Sequence, residues 1–288
     1  MPGELRITGD DFGASRAVNE AIEAAHRDGV LTAASAMAAG DAFEDAVARA
    51  KALPALATGL HLVLCDGRAA SRPADVPDLV DASGRFREGP ARAGLLYWHR
   101  RRALRGQLER ELRAQLERAL AAGLALHHVD GHHHLHMHPV VFDLLLPLLA
   151  EHRIPRVRIV HEDGLGRAAH TPPRGLSAER PAAFVQRVGA ELVAGVFAAL
   201  ARRHRPRAAA RGIASDARVY GLRASGKLDE AALLRLVRGL RAPSAEIYLH
   251  PSRASAAGRA EEAALRSDAL RRAVREAGYA LRGAPPAR

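Results

Sequence analysis

This chain of 288 residues has almost nothing with which to cross-link or anchor itself. One cysteine, Cys65, rules out a disulfide framework and a multi-thiolate zinc site, and a reducing compartment fits. Aromatic residues make up 4% of the sequence, so core volume has to come from Leu, Val, Ile and Ala. The same scarcity argues against the stacking platforms of single-strand nucleic-acid binders. No stretch approaches the roughly 20 apolar residues that span a bilayer. The N-terminal run before Gly9 is too short for a signal peptide, so the expectation is a soluble, cytoplasmic protein. No Gly-x-Gly-x-x-Gly follows the first apolar run, and a dinucleotide-binding fold loses its main support.

What is abundant is positive charge. The formal net charge of +11 would attract phosphate-bearing partners. The basic residues are mixed with acidic ones along helical stretches, as in Glu109-Arg-Glu-Leu-Arg113, so nucleic acid is not the expected partner. The densest run, His99-Arg-Arg-Arg-Ala-Leu-Arg105, follows Leu95-Leu-Tyr-Trp98. That pairing of basic and apolar faces is compatible with a membrane-surface contact, and a solvated helix start explains it too.

Strand-length apolar runs alternate with stretches of helical period. Strands are expected near 5–8, 31–38, 58–64, 127–129, 157–160, 212–214 and 246–250. Helices are expected from a Ser15 cap to Asp28, then over 43–53, 104–122, 140–152, 184–203, 230–240 and 260–277, with an irregular excursion at 66–94. This alternation implies parallel strands with right-handed crossovers, in a barrel or a doubly wound sheet. No linker divides the chain, so one domain over residues 1–288 is expected.

Histidine is concentrated in one place. Asp130-Gly-His-His-His-Leu-His-Met-His138 holds five histidines in seven positions, deep inside the chain and interleaved with Leu and Met, unlike a purification tag. Imidazole is the commonest metal ligand. Two further features fall at strand ends: the pair Asp10-Asp11, and His61 inside Gly59-Leu-His-Leu-Val63. Adjacent residues diverge, so one aspartate can face a metal while the other faces substrate. Three protein ligands with an open position form the catalytic metal pattern. In a β/α-barrel all these strand ends open on one face. A non-catalytic metal- or nucleic-acid-binding protein would explain the charge but not this set. A two-metal phosphoesterase would need a second carboxylate block.

Thr8-Gly-Asp-Asp-Phe-Gly13, Thr58-Gly-Leu-His-Leu62 and Val129-Asp-Gly-His-His-His-Leu-His-Met-His-Pro139 resemble the three signature blocks of the YdjC/ChbG-like carbohydrate deacetylases, in order and separation. The resemblance implies a distorted, TIM-like (β/α) barrel of seven or eight parallel strands. It also implies hydrolytic deacetylation of N-acetylated sugars with one divalent ion, Zn²⁺ or Mg²⁺. It makes Asp11, His61 and His132 the metal ligands and Asp10 the general base. Val219-Tyr-Gly-Leu-Arg-Ala-Ser-Gly226 and Glu246-Ile-Tyr-Leu-His-Pro251 are similar to the hopanoid-biosynthesis-associated branch, HpnK. That likeness implies an N-acetylglucosaminyl hopanoid as substrate, with a chitooligosaccharide as the alternative. Gly9 and the Gly131/His133 pair depart from the usual blocks without touching a ligand position.

The remaining roles follow from placement. His250 ends the last strand and is the general-acid candidate. Asp130 is placed to orient a ligand histidine. Arg158 either orients Asp10, binds substrate or forms a structural ion pair. His134, His136 and His138 line the pocket or pack. Leu95, Leu96, Tyr97 and Trp98 either meet a sterol-like ring system at the rim or cap the barrel. A homo-oligomer is compatible with the sequence.

Overall fold

Strands β1 (Gly3–Phe12), β2 (Ala33–Ala36), β3 (Ala57–Leu62), β4 (Val129–Gly131), β5 (Arg218–Tyr220) and β6 (Ser244–Leu249) form one curled parallel sheet in the order β4-β3-β2-β1-β6-β5. A short β7 (Tyr279–Leu281) pairs with Gly3–Leu5 of β1. The structure, a computed structural model, describes residues 3–166 and 181–284, with the side chains of 181–188 excepted.

The segment 156–161 carries the sheet round from β4 to β5. Val129 N–H donates to Arg156 O at 3.1 Å and Arg158 N–H to Val129 O at 3.0 Å. On the other side Val157 N–H donates to Ala214 O at 3.0 Å and Val219 N–H to His161 O at 3.3 Å. The result is the distorted α/β barrel expected from the sequence. Two of the expected strands, 157–160 and 212–214, amount to isolated bridges, because each neighbour offers too few residues to extend a ladder. The ladder strand of that region is β5, whose three residues are too few to reveal a period of two.

Capping chemistry sets the helix boundaries. In α1 (Arg16–Arg27) the Ser15 hydroxyl accepts from Val18 N–H, as its position before the apolar stripe requires. The expected single helix at 260–277 is instead α8 (Ala256–Leu265) and α9 (Asp268–Glu276). Ser267 divides them, because its hydroxyl accepts from Ala269 and Leu270 N–H and so starts a new helix. The excursion 66–94 ends inside a helix that the sequence reading missed, α3 (Pro90–His99), with proline at its first position. Three further α-helices are α2 (Phe43–Lys51), α6 (Pro181–Ala209) and α7 (Glu230–Gly239). No helix among the described residues is long and apolar enough to cross a membrane.

Two helices hold the loops that will matter. Buried Asn19 of α1 accepts from Gly13 N–H at 2.7 Å and donates to Ala42 O and Asp45, which fixes the turn after β1. Helix α4 (Arg101–Ala121) buries Leu104, Leu108, Leu112 and Leu116, and with them Glu111 and Gln115. Gln115 bonds both the N–H and the C=O of Val63, and Glu111 accepts from Ala70 and Ser71 N–H, so the chain leaving β3 is clamped. Helix α5 (Pro139–Glu151) is apolar nearly all round because α3, α4 and α6 all pack on it.

Candidate functional site

The barrel interior is polar at the C-terminal ends of its strands, and Arg158 is its hub. This fully buried guanidinium donates to both oxygens of Asp10 at 2.6 and 2.8 Å, to Glu246 Oε1 at 2.8 and 3.0 Å, and lies 2.8 Å from Asp130 Oδ2. Its Cζ lies over the Tyr248 ring, 4.7 Å from the centroid. Thr8 donates to Glu246, and Ser35 donates to Asp130 at 2.6 Å. Burial alone would raise the Asp130 carboxyl, but Arg158 and His61 outweigh it and hold the group far below the usual carboxylate range. The interior close approach of His128 requires Gly59, since a Cβ there would overlap the imidazole ring.

Asp10 and Asp11 lie beyond the strand expected at 5–8 but still within β1, in its extended end. The register with β2 shifts between Gly9 and Phe12, and Asp11 adopts φ 63°. That irregularity turns Asp11 away from Arg158 and toward the histidines. Asp11 Oδ1 lies 3.3 Å from His61 Nε2 and 3.2 Å from His132 Nδ1. One ligand atom from each of these residues lies within 4.8 Å of the others. The structure therefore brings Asp11, His61 and His132 together, with Asp10 beside them.

The hydrogen bonds around His61 decide what this cluster can hold. Asp130 Oδ1 sits 2.7 Å from His61 Nδ1. An ionised carboxylate only accepts, so Nδ1 carries the proton. His61 Nε2 is buried and has no hydrogen-bond partner. An unpaired buried nitrogen aimed at a carboxylate, with its other nitrogen donating to a second carboxylate, is the arrangement of a metal-ligating histidine. The electrostatics agree. Burial opposes a charged imidazole, yet the charges of Asp130 and Asp10, with the Asp11 carboxylate close by, outweigh it and lift the His61 pKa to about 10. This point of the molecule calls for a positive charge, which a proton or a divalent cation can supply. One carboxylate and two imidazoles suit several first-row cations as well as Mg²⁺.

The other histidines divide by environment. His134, with φ 57°, meets the Tyr248 hydroxyl at 2.8 Å and lines the cavity. His138 also lines it, edge-on to Trp98. His250 follows β6 and faces the cavity, and its backbone N–H donates to Glu261. His136 packs in the interior, where its Nε2–H donates to Arg158 O at 2.9 Å. Burial pushes His136 down to about 4. Since the unfolded value is 6.5, the unfolded chain binds the extra proton between these limits, and stability falls as pH drops from 6.5 toward 4. A shift of this size is worth about 3 kcal/mol. Urea midpoints measured at pH 7 and pH 4.5 should differ accordingly, and His136→Gln, which supplies an N–H donor that does not titrate, should narrow the gap. Equal midpoints in the parent protein would contradict the assignment.

Above this polar floor opens a cavity of about 820 Å³. Its walls are apolar: Leu95 and Trp98 from α3 on one side, Leu192, Val193, Val196 and Phe197 from α6 on the other. Six large hydrophobic residues are exposed among those described, and five of them line this cavity. Of the two alternatives open for Leu95 to Trp98, rim contact or capping of the barrel, Leu96 and Tyr97 do not take the rim. Tyr97 is instead a core residue whose hydroxyl donates to Leu64 O at 2.6 Å, and Leu96 packs against the core, because only one face of a helix can look into the cavity.

Residues 4–276 match the model of the YdjC family, described as YdjC-like protein. Over 152 residues the chain is 47% identical to a carbohydrate deacetylase of Brevibacillus brevis, covering 53% of this chain and 58% of that protein. It is 40% identical over 156 residues to a carbohydrate deacetylase of Geobacillus stearothermophilus, covering 54% and 59%. The chain thus spans less than two thirds of either relative. A crystal structure of an Enterococcus faecalis protein, proposed to cleave cellobiose phosphate, superposes with a TM-score of 0.69 over 98% of both chains at 20% identity, a likeness of fold.

Proposed function

We propose that this chain, which belongs to the YdjC-like family, is a hydrolase that removes the acetyl group from an N-acetylated amino sugar. The observation that carries the reading is the bare, buried His61 Nε2 facing Asp11 beside His132, with Asp130 fixing the ring from behind. Asp11, His61 and His132 would hold one divalent cation. Such an ion polarises an amide carbonyl and makes water a competent nucleophile near neutral pH.

The remaining steps fall to the chain itself. Asp10, beside the ligand set and anchored by Arg158 through both oxygens, takes the proton of the attacking water. Arg158 holds that carboxylate in one orientation. His250, across the same cavity, delivers a proton to the leaving amine nitrogen. His134 and Tyr248, joined at 2.8 Å, border the sugar. The relatives named carbohydrate deacetylases support the same reaction class.

The apolar walls support a finer reading: an amino sugar carried on a bulky apolar group, such as an N-acetylglucosaminyl hopanoid. Trp98 can stack on a sugar, but the four exposed aliphatic side chains Leu95, Leu192, Val193 and Val196 around the cavity suit an apolar group better than a purely soluble oligosaccharide. Arg101, which packs over the Trp98 ring at 5.3 Å, and Arg102 stand next to this rim and suit contact with an anionic lipid surface. Acetate release from an N-acetylglucosaminyl lipid and from a chitooligosaccharide should be compared at equal concentration. The lipid is expected to give the higher kcat/KM, and Trp98→Ala should lower that value for the lipid alone. A preference for the soluble sugar would remove the hopanoid and keep the deacetylase; acetate from neither would remove both.

A further inference from the structure

We infer that a second divalent cation binds beside the first, held by Cys65 Sγ, the Asp66 carboxylate and His133 Nε2, and that this site takes a thiophilic ion such as Zn²⁺. The mechanism above uses none of these three residues. One donor atom from each lies within 4.8 Å of the other two. Asp66 Oδ2 and His133 Nε2 are 3.4 Å apart. That separation is close to the edge of about 3.4 Å between oxygen and nitrogen ligands that share one tetrahedral zinc at roughly 2.0–2.1 Å. In the first cluster the corresponding separations, from Asp11 to His61 and His132, are 3.3 and 3.2 Å.

The donors come from two stretches that already serve the first cluster. His61 is the penultimate residue of β3 and Cys65-Asp66 follow that strand; His132 and His133 are neighbours whose ring centroids lie 4.3 Å apart. The first stretch is tied down before it reaches Cys65. Gln115 bonds both backbone groups of Val63, and the Tyr97 hydroxyl donates to Leu64 O. Cys65 is thus delivered to a fixed place under two polar side chains that stay open to solvent. A sulfur, a nitrogen and an oxygen donor select zinc over magnesium, unlike the all-oxygen and nitrogen set of Asp11, His61 and His132. On binding, the S–H bond breaks, its proton passes to water, and a sulfur–metal bond forms. His133 also borders the large cavity, so a cation here stands at the cavity wall.

Cobalt substitution of the full chain tests this without reference to activity. Cys65 is the only cysteine, so a near-ultraviolet sulfur-to-cobalt charge-transfer band reports on this site alone. Metal-stripped protein dialysed against Co²⁺ should take up two ions per chain and show the band. Cys65→Ser should lose the band and one ion. His133→Ala, at an exposed position, should also lose one ion and weaken the band. One ion per chain with no band, or two ions retained in both variants, would overturn the inference. One ion with the band would instead retire the Asp11–His61–His132 site and keep this one, so the two assignments fail separately.

Discussion

Asp10→Asn is expected to lower kcat by roughly 10²-fold or more, the range for a positioned acid–base group, while the bound metal stays at the parent level. The substitution keeps the side-chain shape and removes the proton acceptor. Asp11, His61 and His132 are untouched by it. Arg158 retains Glu246 and Asp130 as partners, so the interior stays neutralised. Asp11→Asn is expected to do the reverse and release the metal. Metal content per chain and single-turnover rates of both variants separate the roles. If Asp10→Asn lost the ion and Asp11→Asn kept it, the two carboxylates would have to be exchanged in the account.

Arg158→Met should be among the most destabilising single substitutions available in this chain. The guanidinium is wholly buried and lies between three buried carboxylates, those of Asp10, Asp130 and Glu246. A methionine of similar length fills the space but leaves like charges facing one another in a low-dielectric interior. Removing one partner of a buried pair typically costs about 3–5 kcal/mol, and here three acids lose the same partner. The sign of the pH dependence follows. Without Arg158 the folded carboxyls rise above their unfolded values, so the deficit against the parent should shrink as pH falls and they take up protons. Urea unfolding of both proteins from pH 7 to pH 5 measures it. A loss below about 1 kcal/mol, the size of an exposed pair, would contradict this view of the interior.

Much of this site was legible because its residue types are costly to bury without a purpose. A histidine inside Gly59-Leu-His-Leu-Val63 and a histidine cluster after a short strand stand out against apolar surroundings, and both lie at the centre. Part of the interior carried no role in the sequence reading, although a signal for it exists. Thr8 and Asp10 on β1, His128, Asp130 and His132 at β4, and Glu246, Tyr248 and His250 at β6 are spaced two apart. That is the spacing of residues on one face of a strand. Read as inward-facing sets, they yield Glu246, Tyr248 and His128, which carried no role in the sequence reading.

Other features had no such signal. The carboxylate Asp11 is separated from Asp10 by a change of backbone handedness that nothing in Gly9-Asp-Asp-Phe12 announces. The cavity wall from α6 needs contacts between elements some hundred residues apart in sequence, so Leu192, Val193 and Val196 read only as an ordinary helix face. The strand β5 and the bridges at Val157 and Ala214 are shorter than any window in which periodicity can be counted.

The measurement that bears most directly on the account is acetate release from an N-acetylglucosamine conjugate by the parent protein, before and after its divalent metal is stripped with a chelator. The account predicts that turnover disappears with the metal and returns when Zn²⁺, Mg²⁺ or Co²⁺ is added back, and that His61→Ala regains none of it at metal concentrations that restore the parent. Full turnover by the stripped protein would contradict it.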